Sequence, residues 1–151
     1  MLRFFRYWLP VLLWMILIFG MSTGLGSAEN TSRFIEPFLR WLIPDITPAR
    51  LQQVHFYIRK AAHLTEYAIL GLLLWRALRQ TRLAGAAGSR WKIAAAVLLI
   101  AAAYAATDEF HQTFVPGRTP SVRDVMIDTC GAFVGLCIVC AGTVLQRRTD
   151  S

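Results

Sequence analysis

Residues Trp91–Ala106 read WKIAAAVLLIAAAYAA, and the next six, Thr107–Gln112, read TDEFHQ. A helix needs ~20 predominantly apolar residues to cross a ~30 Å hydrocarbon core, and this run nearly supplies them. The abrupt change to acids, histidine and amide marks where the span would end. Three more runs have comparable length: Tyr7–Met21 (YWLPVLLWMILIFGM), Ala61–Leu78 (AAHLTEYAILGLLLWRAL) and Val125–Leu145 (VMIDTCGAFVGLCIVCAGTVL). In chain order these make spans one to four; the second and fourth carry charges at one end and are weaker by hydropathy than the first. A chain of 151 residues that is 56% hydrophobic and 17% charged is too apolar for an ordinary soluble fold. The expectation is an all-α integral membrane bundle of four transmembrane helices, one domain over residues 1–151. The first run also has signal-peptide features, since Arg3 and Arg6 precede it and Gly26-Ser27-Ala28 offers small residues for cleavage. A retained anchor makes the rest of the topology consistent, and an anchor is expected.

Basic residues set the orientation. With four spans, both termini and the loop after span two share a side. That side carries Arg3, Arg6, Arg76, Arg79, Arg82, Arg90, Lys92, Arg147 and Arg148, nine of the sixteen Lys and Arg, with Asp150 as its one acid. The other side holds the remaining seven basic residues and eight acids. The positive-inside rule therefore puts the termini in the cytoplasm. The net charge of +7 is accounted for by this topology, and no nucleic-acid partner is implied, because the basic residues flank apolar spans without a binding module.

The remaining polar residues gather at the outer ends of the spans. His63 and Glu66 open span two, Asp108, Glu109 and Gln112 close span three, and Asp124 and Asp128 enter span four. Thr47-Pro48 is a strong helix start, a capping hydroxyl followed by proline at the first position. A helix over Pro48–Leu78 would be roughly 46 Å long, so its first turns would project or bend at the outer interface. Arg59, His63 and Glu66 then share a face, while Lys60 points elsewhere; Tyr67 lies one turn below His63. Asp108 and Gln112 share a face, with Glu109 about 100° round. Asp124, Asp128, Gly131 and Gly135 form one stripe, and its Gly-x-x-x-Gly admits a close neighbouring helix. Phe114-Val115-Pro116-Gly117-Arg118 predicts a type II turn that fixes Arg118 over the helix ends. In the first outer loop, Phe34, Phe38, Trp41 and Leu42 alternate helically with Arg33, Glu36 and Arg40, which predicts a short amphipathic helix on the membrane surface.

Each polar residue has a structural use as well as a chemical one. His63 can bond across helices, Glu66 can pair with Arg59 or Lys60, and Asp124 can be a capping-box acid three residues after Ser121. Arg123 suits a headgroup-facing rim, and His111 lies one residue off the Asp108–Gln112 face, towards headgroups. Cys130, Cys137 and Cys140 lie within span four and read as small apolar packers, since a disulfide inside one helix is geometrically poor. Taken together, six ionisable groups near hydrocarbon cost a few kcal/mol each on insertion scales and need mutual pairing or a task.

Three strings, RKAAHLTEYAIL (59–70), DEFHQTFVPGR (108–118) and DVMIDTCGAFVG (124–135), resemble the VanZ family, and Ser22 after the first span also fits. The resemblance runs from about Trp8 to Gly135. It implies a bacterial membrane protein associated with teicoplanin resistance, without implying a reaction. One departure is Asp128, where the family usually carries Asn.

Two classes of function are compatible with these residues. In an enzyme, His63, Glu66, Asp108 and Glu109 would carry the catalysis. Arg59, Lys60, Gln112, Arg118, Asp124 and Asp128 would bind a substrate such as a lipid-linked cell-wall precursor in the outer leaflet. No cofactor is specified, although Glu66, Asp108, Glu109 and His63 could hold a divalent cation that polarises a phosphoryl oxygen. In a binding module the same pocket would hold an envelope lipid or the antibiotic's lipid tail unreacted. A proton-coupled transporter fits less well, because the charges stay at one face. Membrane lipids are expected partners, and the sequence leaves the oligomeric state open.

Overall fold

The computed structural model describes residues 2–23, 28–81, 90–115 and 120–149, and the regular structure among them is entirely helical. Five helices follow in order: α1 (Leu2–Ser22), α2 (Ala28–Leu42), α3 (Pro48–Gln80), α4 (Arg90–Gln112) and α5 (Val122–Thr149). The Gly26-Ser27 pair and the Pro116-Gly117-Arg118 turn lie outside the described residues. α3 begins as its sequence requires, with the Thr47 hydroxyl accepting from the Arg50 N–H and Pro48 at the first position. It ends where the Thr81 N–H donates back to the Ala77 carbonyl at 3.0 Å.

The four long helices pack side by side. The Trp14 indole donates to the Glu66 carbonyl at 2.9 Å, and Arg76 lies 5.3 Å over the Tyr7 ring, so α1 and α3 run antiparallel. The Tyr104 hydroxyl donates to the Met15 carbonyl and Gln112 to Ser22, so α1 and α4 run parallel. The tightest seam joins α3 to α5, also parallel. A Cβ on Gly131 would strike the Leu64 carbonyl, one on Gly135 the Ala68 carbonyl, and one on Gly71 would meet the Ala132 carbonyl at 2.6 Å. Without side chains at these three positions the two backbones come into direct contact, as the small-residue stripe on α5 predicts. Tyr67, Leu70, Leu74, Val97, Ala101, Ala105, Ala132 and Leu136 fill the core around this seam, and Val11 and Ile18 close it from α1.

Outside the core the pattern is the reverse of a soluble protein. Leu12, Leu13 and Ile16 of α1, Leu99 and Phe110 of α4, and Met126, Phe133 and Ile138 of α5 all point outward. Such a continuous apolar exterior on helices suits lipid as the solvent. Among the described residues, three helices are long and apolar enough to cross a membrane: Phe4–Ser22, Arg90–Gln112 and Val122–Gly142. α3 is not among them, because His63, Glu66 and Arg76 interrupt its apolar run. Cys130, Cys137 and Cys140 correct the expectation of packing residues. All three are exposed on the outer face of α5, since the glycine stripe takes the inward positions.

The seam makes a direct prediction. Gly135→Ala should lower the thermal midpoint of the detergent-solubilised protein, as overpacking costs ~1–3 kcal/mol. Gly142→Ala, where a Cβ meets nothing within 4 Å, should leave it unchanged or raise it slightly. Thermal unfolding followed by circular dichroism distinguishes the two.

Candidate functional site

The α3–α5 register decides which polar residues meet. Because the helices are parallel and in contact, residues 60 and 63 face residues 124 and 128 one turn apart. Lys60 Nζ pairs with Asp124 Oδ1, and an Arg59 guanidinium nitrogen lies 3.6 Å from Asp124 Oδ2. One turn deeper, His63 Nδ1 lies 3.2 Å from Oδ1 of Asp128, whose side chain is fully buried. Asp124 is therefore the carboxylate on which both cations converge, and Lys60 turns into the site instead of away from it. Arg59 and Lys60, weighed from sequence as partners for Glu66, meet Asp124 in this arrangement. Glu66 stays half-buried beside His63, an electrostatic neighbour of the imidazole.

α4 delivers its last turn into the same region. The Gln112 amide donates to the Ser22 hydroxyl at 2.8 Å and to Asp108 Oδ2 at 3.2 Å, tying the ends of α1 and α4 together. Glu109, expected to be rotated away from Asp108 and Gln112, is buried with them. Its Oε2 accepts the Ser121 N–H at 2.8 Å. Ser121 precedes α5, and its hydroxyl accepts the Arg123 N–H. A capping box is thus completed in trans: the carboxylate that reaches the cap residue comes from α4, and Asp124 is freed for the cations. Among the described residues, this removes the capping-box role expected for Asp124. His111 packs against Phe19 with ring centroids 4.4 Å apart and the planes tilted by 46°, so it contacts α1 and does not simply face headgroups.

Eight of the sequence-derived site residues, Arg59, Lys60, His63, Asp108, Glu109, Gln112, Asp124 and Asp128, stand in this connected region, with Glu66 at its edge. Arg118 lies outside the described residues. Two tyrosines join them that sequence reasoning did not assign to the site. Tyr67 is fully buried and Tyr104 half-buried, with ring centroids 6.2 Å apart. Helical spacing carried the signal, since Tyr67 is four residues after His63 and Tyr104 four before Asp108.

Several oxygens in the cluster stay unsatisfied. Among the described residues, Asp108 Oδ1, Glu109 Oε1, both carboxylate oxygens of Asp128 and the Tyr67 hydroxyl are buried without a hydrogen-bond partner, as is His63 Nδ1, which faces Asp128 at ion-pair distance without hydrogen-bond alignment. Each such group costs about 1–3 kcal/mol, so five oxygens in one place call for a ligand, a proton or a further side chain. Among the described residues, no three His, Cys, Asp or Glu side chains converge to hold a metal ion. Glu66, Asp108, Glu109 and His63, considered from sequence for a divalent cation, therefore do not converge as a ligand group among the described residues.

Helices with an apolar exterior, packed over a buried set of carboxylates, histidine and amide, mark a membrane-type protein. A family model described as VanZ/LLP1 matches residues 7–145, and the chain belongs to that family. No curated protein and no solved structure matches it.

The Asp124 arrangement is testable by stability. Asp124→Ala should cost about 3 kcal/mol, because it leaves Lys60 part-buried without its counter-charge. The double substitution Asp124→Leu with Lys60→Met should recover most of that loss, read by chemical unfolding in mixed micelles.

Proposed function

We infer that the chain is a four-span protein of the bacterial cytoplasmic membrane, with both termini in the cytoplasm and the polar cluster opening outward. Support for a fourth span comes from α3 itself, which lies along α5 from Lys60 to Gly71 and along α1 from Glu66 to Arg76. Flanked in this way, it shares their depth. Its polar groups are covered by neighbouring helices, which is how intramembrane charges are tolerated. The excess of basic residues at the opposite end of the bundle supports the orientation.

The cluster then acts by acid–base chemistry on a phosphate-bearing envelope lipid, a lipid-linked cell-wall precursor being the substrate class. The observation that carries this is the His63–Asp128 pair surrounded by the unsatisfied oxygens of Asp108, Glu109 and Tyr67. An imidazole backed by a buried carboxylate is equipped to take a proton from water or a substrate hydroxyl. As that oxygen bonds to phosphorus, the departing ester oxygen takes a proton from Glu109. Arg118, together with Arg59, supplies positive charge for the phosphate. In the cell this activity would contribute to glycopeptide (teicoplanin) resistance. A non-catalytic module that only binds envelope lipid or antibiotic is favoured by one feature: Glu109, Gln112 and Asp124 are already engaged in holding helices together.

Glu109→Gln separates the two readings, because a glutamine oxygen can still accept the Ser121 N–H while losing the acid. In a teicoplanin-sensitive host with matched expression, the catalytic reading predicts that the parent protects and the variant does not. Equal survival with both would assign the cluster to binding or to structure.

A further inference from the structure

α3 projects beyond the other long helices. Lys60 is level with Asp124 at the start of α5, so Pro48–Arg59 extends about 18 Å past the bundle at about 1.5 Å per residue. α2 folds against this projection, and the two enclose a groove of about 480 Å³. Its polar lining includes Arg40 from α2 and His55 and Arg59 from α3; Leu51 and Phe56 provide its apolar wall. This groove is separate from the carboxylate cluster and borders it at Arg59 and at Phe56, whose ring lies 5.2 Å under Lys60 Nζ.

Two features of the groove indicate what it takes. The first is unsatisfied polarity: among the described residues, His55 Nε2 and Arg59 Nε are buried with no hydrogen-bond partner. Arg40 does have one, Glu36 at 2.9 Å, but that pair is exposed and readily exchanged. Glu36 and Asp124 offset the two guanidinium groups in part, and the unpartnered Arg59 Nε and His55 Nε2 leave the lining able to donate to an anion's oxygens. The second is its setting. Phe38 and Trp41 of α2 and Phe56 and Tyr57 of α3 are all more than half exposed around it. Aromatic side chains gathered at the end of an apolar bundle mark the headgroup level of a bilayer, where a phosphate and the start of an acyl chain are met together.

We propose that the groove between α2 and the projecting turns of α3 binds the head of an anionic phospholipid. Arg40, His55 and Arg59 donate to its phosphate oxygens, and Leu51 and Phe56 lie against its glycerol and upper acyl carbons. The site requires the bundle to be embedded in a membrane; it shares Arg59 with the phosphate contact proposed at the cluster, while Arg40 and His55 serve the groove. Through Arg59, which also reaches Asp124, a lipid held here adjoins the cluster.

The full-length chain, purified in dodecyl maltoside, is given equal concentrations of dioleoyl phosphatidylglycerol and dioleoyl phosphatidylcholine, and retained lipid is read by native mass spectrometry. The expected result is one phosphatidylglycerol retained under activation that strips phosphatidylcholine. Substituting Arg40→Gln and His55→Gln together should weaken that retention about tenfold, the scale of a lost charge-assisted hydrogen bond. Leu99→Ala, on the exterior of α4, should not weaken it. If the double variant loses helicity, Arg40→Gln alone, at a half-exposed side chain, makes the same comparison. Equal retention of both lipids, or undiminished retention by the groove variants, would overturn the proposal. Displacement of phosphatidylglycerol by excess sodium phosphate would also overturn it, by identifying a site for free anions. Glu109→Gln should retain phosphatidylglycerol whatever its effect on teicoplanin survival, so failure at the cluster and failure at the groove are read separately.

Discussion

Backbone contact between α3 and α5 is the constraint from which the site follows. Gly131 and Gly135 bring α5 against the Leu64 and Ala68 carbonyls, and Gly71 returns the contact against Ala132. At that separation the register admits little slip, because moving one helix by a turn would set side chains against carbonyls. The same register brings Lys60 to Asp124 and His63 to Asp128. A small-residue stripe low in the bundle thus fixes the placement of charges above it, which is how packing sets chemistry when the hydrophobic effect contributes little to helix association.

Those charges also explain the departure of α3 from the apolar pattern of its neighbours. A helix carrying Arg59, Lys60, His63 and Glu66 would be a poor guest in hydrocarbon by itself. In the bundle, Lys60 and Arg59 meet a carboxylate, His63 meets another, and the half-buried Glu66 carbonyl takes the Trp14 indole N–H. Pairing offsets much of the desolvation cost, though a buried pair is weak evidence of net stabilisation. The five unsatisfied oxygens remain a cost that stability does not account for, and that cost is what supports the functional reading proposed for the cluster.

Much of this was legible in the sequence. Thr47-Pro48 marked the start of α3, and the apolar runs marked α1, α4 and α5. The Asp124–Asp128–Gly131–Gly135 stripe gave the inward face of α5, while the RKAAHLTEY, DEFHQ and DVMID strings gave the family. What stayed hidden depended on partners from distant helices. Ser121 and Asp124 have capping-box spacing, yet Glu109 takes the Ser121 N–H because the end of α4 lies beside the start of α5. Helical-wheel reasoning set Glu109 apart from Asp108 and Lys60 apart from His63. It overlooked that two neighbouring helices can bury adjacent positions of one helix at once. The cysteines were misplaced for a related reason: once glycine occupies the contact stripe, the residues between face outward.

The proposed outward-opening cluster requires α3 to cross the membrane beside α5, with its N-terminal turns outside. Single cysteines at Gln53 and Gln80, exposed positions near the two ends of α3, test this in a background lacking Cys130, Cys137 and Cys140. Intact cells are treated with a membrane-impermeant maleimide. The account predicts labelling at position 53 and protection at position 80 until the membrane is permeabilised. Labelling of both from outside, or of position 80 alone, would contradict it.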